Sequence, residues 1–127
     1  MTMMNILSAI LIAFTCLFSA PDNQRNVDPD SWKVTVDEVR DGVRYVTAVP
    51  GGGVCSRRIE LEIVVKGRTV RSCRFVGGCP GNTVGLCSLL EGMKVSEAIK
   101  RLDGIPCGGK ETSCPDQLAR VLKSLKW

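Results

Sequence analysis

Strand patterns in the first half and helix patterns in the second predict an α+β domain: a small antiparallel sheet of three to four strands, followed by about three helices packed on one face. Three observations carry this. Arg57–Val65 alternates strictly, with Ile59, Leu61, Ile63 and Val65 on one face and Arg58, Glu60 and Glu62 on the other. Short runs of this kind are separated by Asp41-Gly42 and Lys66-Gly67, residues that make tight hairpin turns. After Gly78 the period changes, and Leu118, Val121, Leu122 and Leu125 recur at helical spacing.

The elements follow in order. Trp32–Val39 is a strand whose inward face holds Val34, Val36 and Trp32. The turn Arg40-Asp41-Gly42 sends the chain back through Val43–Val49, and Pro50-Gly51-Gly52-Gly53 ends that strand. Arg57–Val65 and Arg68–Val76 form a second hairpin. One polar and one apolar face suit a sheet covered on one side only. A helix over Asn82–Leu90 is opened by Asn82 or Thr83. A second has Ser96 as its cap, Ile99 and Leu102 as its apolar stripe, and Gly104 as its stop. The last begins at Cys114-Pro115, because proline fits the first turn, where its missing N–H has no partner to lose.

Ahead of this domain, which occupies 31–127, lie two other segments. Ile6–Ala20 within residues 1–20 is an uncharged apolar run of fifteen residues, and 21–30 (PDNQRNVDPD) is a polar linker. The run has three readings. It resembles the apolar region of an export signal or anchor, although no Lys or Arg precedes it and Phe18 is bulky for a cleavage site. It is also short for a membrane span, which needs about 20 apolar residues. The second reading is a misplaced start, with the true one at a non-Met codon near Val27, since no Met lies between Met4 and Met93. The third is an ordinary helix.

Composition limits the chemistry. The chain has 127 residues, seven Cys and no His. Without His there is no imidazole base, no Ser-His or Cys-His nucleophile pair and no mixed Cys/His metal site. Sixteen of the seventeen Lys and Arg, but only ten of the thirteen Asp and Glu, lie beyond residue 30. That mild positive charge reads as a solvated surface. Few aromatic residues are present to stack on bases, which argues against single-stranded nucleic acid as a partner.

Four cysteines stand at turns or a helix start: Cys55 after the glycine run, Cys79 in GGCPGN, Cys107 in GIPCGG and Cys114 at the last helix. Glycines beside the first three allow tight folding around a bound centre. Four thiolates make a closed structural zinc site. Spacing alone leaves three readings open: zinc, buried free thiols, or disulfide and redox thiols. In the redox reading Cys107 and Cys114 are an exchanging pair. Gly108-Gly109 gives their segment flexibility, Lys110 lies nearby, and the helix N-terminus favours a thiolate at Cys114. Against this, six residues separate the two, unlike CxxC. Cys73, in a strand beside Phe75, and Cys87, on the apolar helix, read as small core residues. Cys16 lacks the small preceding residue of a lipid-modified cysteine. GGCPGNT lacks the Lys-Ser/Thr of a phosphate loop and reads as a turn presenting Cys79.

GVCS at 53–56, GGCPGN at 77–82, EGM at 91–93 and GIPCGGKETSCPDQLA at 104–119 occur in order. Over Tyr45–Leu122 the chain thereby resembles the TSCPD domain, found at the C-terminus of adenosylcobalamin-dependent ribonucleoside-diphosphate reductases and as small stand-alone proteins with four cysteines. The resemblance implies that Cys55, Cys79, Cys107 and Cys114 are the family cysteines and candidate zinc ligands. It also implies a link to ribonucleotide reduction and DNA synthesis, and a partner that is a ribonucleotide reductase or another nucleotide-metabolism protein. It does not imply a reductase in itself: a barrel holding cobalamin, a radical Cys and a reducing pair needs several hundred residues. A family label of ribonucleoside-diphosphate reductase would therefore name a relative's activity, and no cobalamin is expected on this chain. A zinc-thiolate site implies a reducing, cytoplasmic setting. A working signal over 6–20 would instead imply export or membrane anchoring.

Overall fold

The computed structural model describes residues 28–127, so the three readings of Ile6–Ala20 fall outside the described residues. Four strands, β1 (Lys33–Arg40), β2 (Val43–Val49), β3 (Ser56–Val64) and β4 (Thr69–Gly77), form an antiparallel sheet in the order β1-β2-β3-β4. Three helices follow: α1 (Pro80–Leu90), α2 (Val95–Leu102) and α3 (Cys114–Ser124). The architecture is the expected α+β arrangement. None of the described helices is long and apolar enough to cross a membrane.

The first hairpin turns on Asp41 and Gly42, both at positive φ (51° and 76°). That is the backbone of the type I′ turn, which matches the twist of the strands it joins. In β3 the alternation holds for Ile59, Leu61 and Ile63, which are buried against the helices, but β3 ends at Val64, so Val65 lies in the following turn and is exposed instead of sharing their face. On the open face Arg58 and Arg74 both pair with Glu60, at 2.7 and 3.0 Å.

One register and several boundaries differ from the sequence reading. In β1 the register shifts between Val34 and Val36, so Val34 faces Ala48 and Val36 faces Thr47. The extra residue, Thr35, reverses the alternation: Trp32 and Val34 pack on the core, and Val36 points outward, 41% exposed. At the other end, α1 starts at Pro80 rather than Asn82. Proline at the first turn needs no N–H partner, and Thr83 donates its hydroxyl back to the Cys79 carbonyl at 3.1 Å instead of capping.

A further difference concerns α2, which starts at Val95 with Lys94 as its cap, not Ser96. Backbone pairing decides this. The α1–α2 linker runs antiparallel to the start of β4, with Gly92 N–H donating to Val70 O, Val70 N–H to Met93 O and Val95 N–H to Arg68 O. Lys94 is thus held extended, and the helix begins at once after it. The same pairing shifts the start of β4 to Thr69, because Gly67 and Arg68 both adopt positive φ in the turn.

The core lies between one sheet face and the helices. It joins Val46, Ala48, Ile59, Leu61, Ile63 and Val70 to Leu90, Ala98, Leu102, Leu118, Val121, Leu122 and Leu125. The predicted stripe of α3 is entirely buried. In α2, Val95 and Ala98 join Leu102 in the buried stripe, with Ile99 at its margin.

Candidate cysteine site at one end of the sheet

β3 and β4 end side by side, and their terminal residues Ser56 and Gly77 are register partners. Cys55 therefore enters β3 next to the point where β4 leaves the sheet. Gly77 and Gly78 turn the chain there with φ of 80° and 85°, a backbone that glycine adopts without penalty. At Gly77 the space is tight as well, whereas at Gly78 it leaves ordinary contact distances. A side chain on Gly77 would press to 3.3 Å from the Cys55 carbonyl oxygen, and one on Gly78 would lie 3.8 Å from Cys55 Cβ. Cys79 thus follows directly on the Gly78 that lies against Cys55, and both cysteines are exposed.

Cys114 reaches the same end from α3. Ser56, buried, donates its hydroxyl to Cys114 Sγ at 3.3 Å. Its neighbour Ser113 caps α3, accepting the Asp116 N–H at 3.2 Å, and donates its own hydroxyl to Ile105 O at 2.6 Å. That second bond closes the loop carrying Cys107. Within it Cys107 and Lys110 bridge across a tight turn, Lys110 N–H to Cys107 O at 3.1 Å, with Gly108 at φ 58°. Cys107 is exposed and Cys114 half-buried.

The ends of the loop are held by Asp116, which sequence reasoning did not single out. Its buried carboxylate accepts from Gly104 N–H at 2.8 Å, Thr112 Oγ1 at 2.6 Å and Arg120 Nε at 2.9 Å. Burial pushes its pKa up, and the hydrogen bonds from Thr112, Gly104 and Arg120 outweigh that, leaving it below the ordinary carboxylate value. Gln117, also buried, completes the arrangement. It accepts from Gly51 N–H and donates to Pro29 O and Thr112 Oγ1. A signal for this existed: Ser113-x-x-Asp116 has capping-box spacing.

The sequence-predicted residues are therefore partly united. Cys55, Cys79 and Cys114 border the same strand end around Ser56, and Cys107 lies in the loop pinned to the start of α3. In this conformation no three Cys, Asp or Glu side chains among the described residues converge closely enough to hold one ion. The donor set itself, thiols on glycine-rich loops, suits a soft divalent metal. Cys73 and Cys87 lie apart from it, packed in the core as expected.

These features define a class: a small α+β domain whose cysteine-bearing loops gather at one end of a four-stranded sheet. The TSCPD domain model matches residues 31–126, and the chain belongs to that family. The match extends beyond the motif-bearing stretch at both ends, taking in β1 and all of α3. No curated protein and no solved structure matches the chain.

Proposed function

We propose that this chain is a zinc-binding accessory module of ribonucleotide reduction, with Cys55, Cys79, Cys107 and Cys114 as the metal's ligands. The observation that supports this is the approach of the GGCP turn, the entry to β3 and the first turn of α3 around Ser56. Three distant stretches of chain bring family cysteines to one end, with a loop carrying the fourth attached to it. Zinc there would serve structure, cross-linking loops that the core does not reach. Closing the site takes an inward movement of Cys107 and Cys79. Binding of the kind seen in zinc-finger peptides, roughly 10–16 kcal/mol, would then appear as folding energy. The link to ribonucleotide reduction rests on family kinship, and the partner it suggests is a reductase or another nucleotide-metabolism protein. The activity belongs to that partner.

Elemental analysis of protein purified without added metal tests the reading. One zinc per chain, with a lowered melting temperature on chelation, is expected. Far less than one zinc, with a fold indifferent to chelator, would overturn it.

A second reading is a thiol shuttle through Cys107 and Cys114. The bond from Ser113 Oγ to Ile105 O favours it, because it draws the ends of the connecting loop together. Thiol counting separates the two. A metal site shields four thiols and releases them together on chelation, whereas a shuttle leaves Cys107 and Cys114 reactive and able to pair.

A further inference from the structure

Among the described residues, Cys73 and Cys87 are the cysteines that the proposed site does not use. Cys73 lies on β4 opposite Leu61, which puts it on the inner face of the sheet. Cys87 lies in the buried stripe of α1 with Thr83 and Leu90. α1 packs against β4, and their Sγ atoms stand 2.7 Å apart. That is nearer the ~2.05 Å of a disulfide bond than an ordinary contact between sulfurs. Both residues sit on regular elements, so the approach is set by helix-on-sheet packing and not by a loop.

We propose that Cys73 and Cys87 form a reversible intrachain disulfide, a redox-sensitive staple joining α1 to β4. It does not depend on the zinc reading. The ring it closes runs through the Gly77-Gly78-Cys79 turn, so oxidation would also restrain the segment that carries Cys79.

The chemistry requires a two-electron oxidant, here a hydroperoxide. The contact between the two sulfurs holds the Cys87 thiol below the ordinary value, while that contact and burial push Cys73 up, so Cys87 is taken as the attacking sulfur. The Cys87 thiolate attacks one peroxide oxygen, the O–O bond breaks, and hydroxide leaves to become water. Cys87 is then a sulfenic acid. The Cys73 sulfur attacks the Cys87 sulfur, the S–O bond breaks, and the departing hydroxide takes the Cys73 proton as a second water. Two thiols have lost two electrons to one peroxide. Cys87 is closed to solvent and Cys73 half-buried, so a small oxidant enters from the Cys73 side.

The test treats the full chain with hydrogen peroxide, denatures it, blocks free thiols with N-ethylmaleimide and maps peptides without reduction. Trypsin separates Ser72–Arg74 from Phe75–Lys94, which also contains Cys79. The same experiment is therefore run on Cys79→Ser. A Ser72–Arg74 to Phe75–Lys94 cross-link in both proteins, reversed by dithiothreitol, is the expected result. Oxidised wild type should also melt higher than reduced by more than about 10 °C, a shift absent from Cys73→Ala. A link that fragmentation of the wild-type cross-linked peptide places on Cys79, or recovery of Cys73 and Cys87 as two separate maleimide adducts, would overturn the proposal even if neither variant folds.

Discussion

The Asp116 carboxylate accepts the Gly104 N–H at 2.8 Å, tying the first turn of α3 to the second residue beyond α2. The loop between them carries Cys107 and ends at Cys114. Its conformation thus depends on one buried anion that also takes hydrogen bonds from Thr112 and Arg120. The aspartate of the TSCPD string holds the loop, and the cysteine beside it is the group presented.

Asp116→Asn should lower stability at neutral pH by about 2–3 kcal/mol, because a buried charged acceptor with several donors is replaced by an amide that cannot satisfy them all. The pH dependence follows from the lowered pKa. A depressed carboxyl stabilises the fold fully above its unfolded value, near 4, and that contribution is lost as pH falls through the folded value. Urea titrations of both proteins should therefore show a gap that is constant from pH 6 to 8 and shrinks below about pH 4. A gap that widens on acidification would contradict this account.

Two glycines should respond in opposite directions to alanine. Gly51 lies against the Pro29 carbonyl, and an added Cβ would overlap that backbone oxygen. Its N–H also donates to Gln117 at 2.8 Å. Gly51→Ala should displace the segment around Pro29 and cost about 1–3 kcal/mol, as overpacking does. Gly85 sits inside α1, and a methyl group added there would meet nothing within 4 Å. Gly85→Ala should therefore add roughly 0.5–1 kcal/mol through helix propensity alone. Thermal melts of the two variants against wild type check both signs.

What the sequence made legible was whatever depends on neighbours along the chain. The alternation of Ile59, Leu61 and Ile63 and the helical spacing of Leu118, Val121 and Leu122 each declare a buried face locally. The bulge at Thr35 was not legible, since it reflects pairing with β2. Nor was the start of α2, which Lys94 takes from backbone pairing with Thr69. The site divides the same way. Thiols beside glycines mark Cys55, Cys79 and Cys107 by residue type and position. That Ser56 would meet Cys114, fifty-eight residues on, or that Gln117 would reach Pro29, depends on how the helices lie on the sheet.

The proposed zinc site makes a prediction that separates the two sets of cysteines. Four thiolates must lose their protons to hold the ion, so binding releases protons and weakens as pH falls. Serine in place of any one ligand removes a thiolate and supplies a much poorer donor for a soft metal. Cys55→Ser, Cys79→Ser, Cys107→Ser and Cys114→Ser should each reduce bound zinc well below one per chain and lower the melting temperature to that of chelated wild type. Cys73→Ala and Cys87→Ala should retain the metal, although Cys87→Ala leaves a small core cavity. Ser56→Ala offers a finer probe, because it removes the hydroxyl that donates to Cys114 Sγ without touching a ligand. That variant should still bind zinc but hold it less tightly than wild type, since a ligand has lost the hydrogen bond that orients it. Zinc content measured across a pH series reads all seven variants. Equal metal loss in the Cys55 and Cys87 variants would remove the distinction on which the site rests.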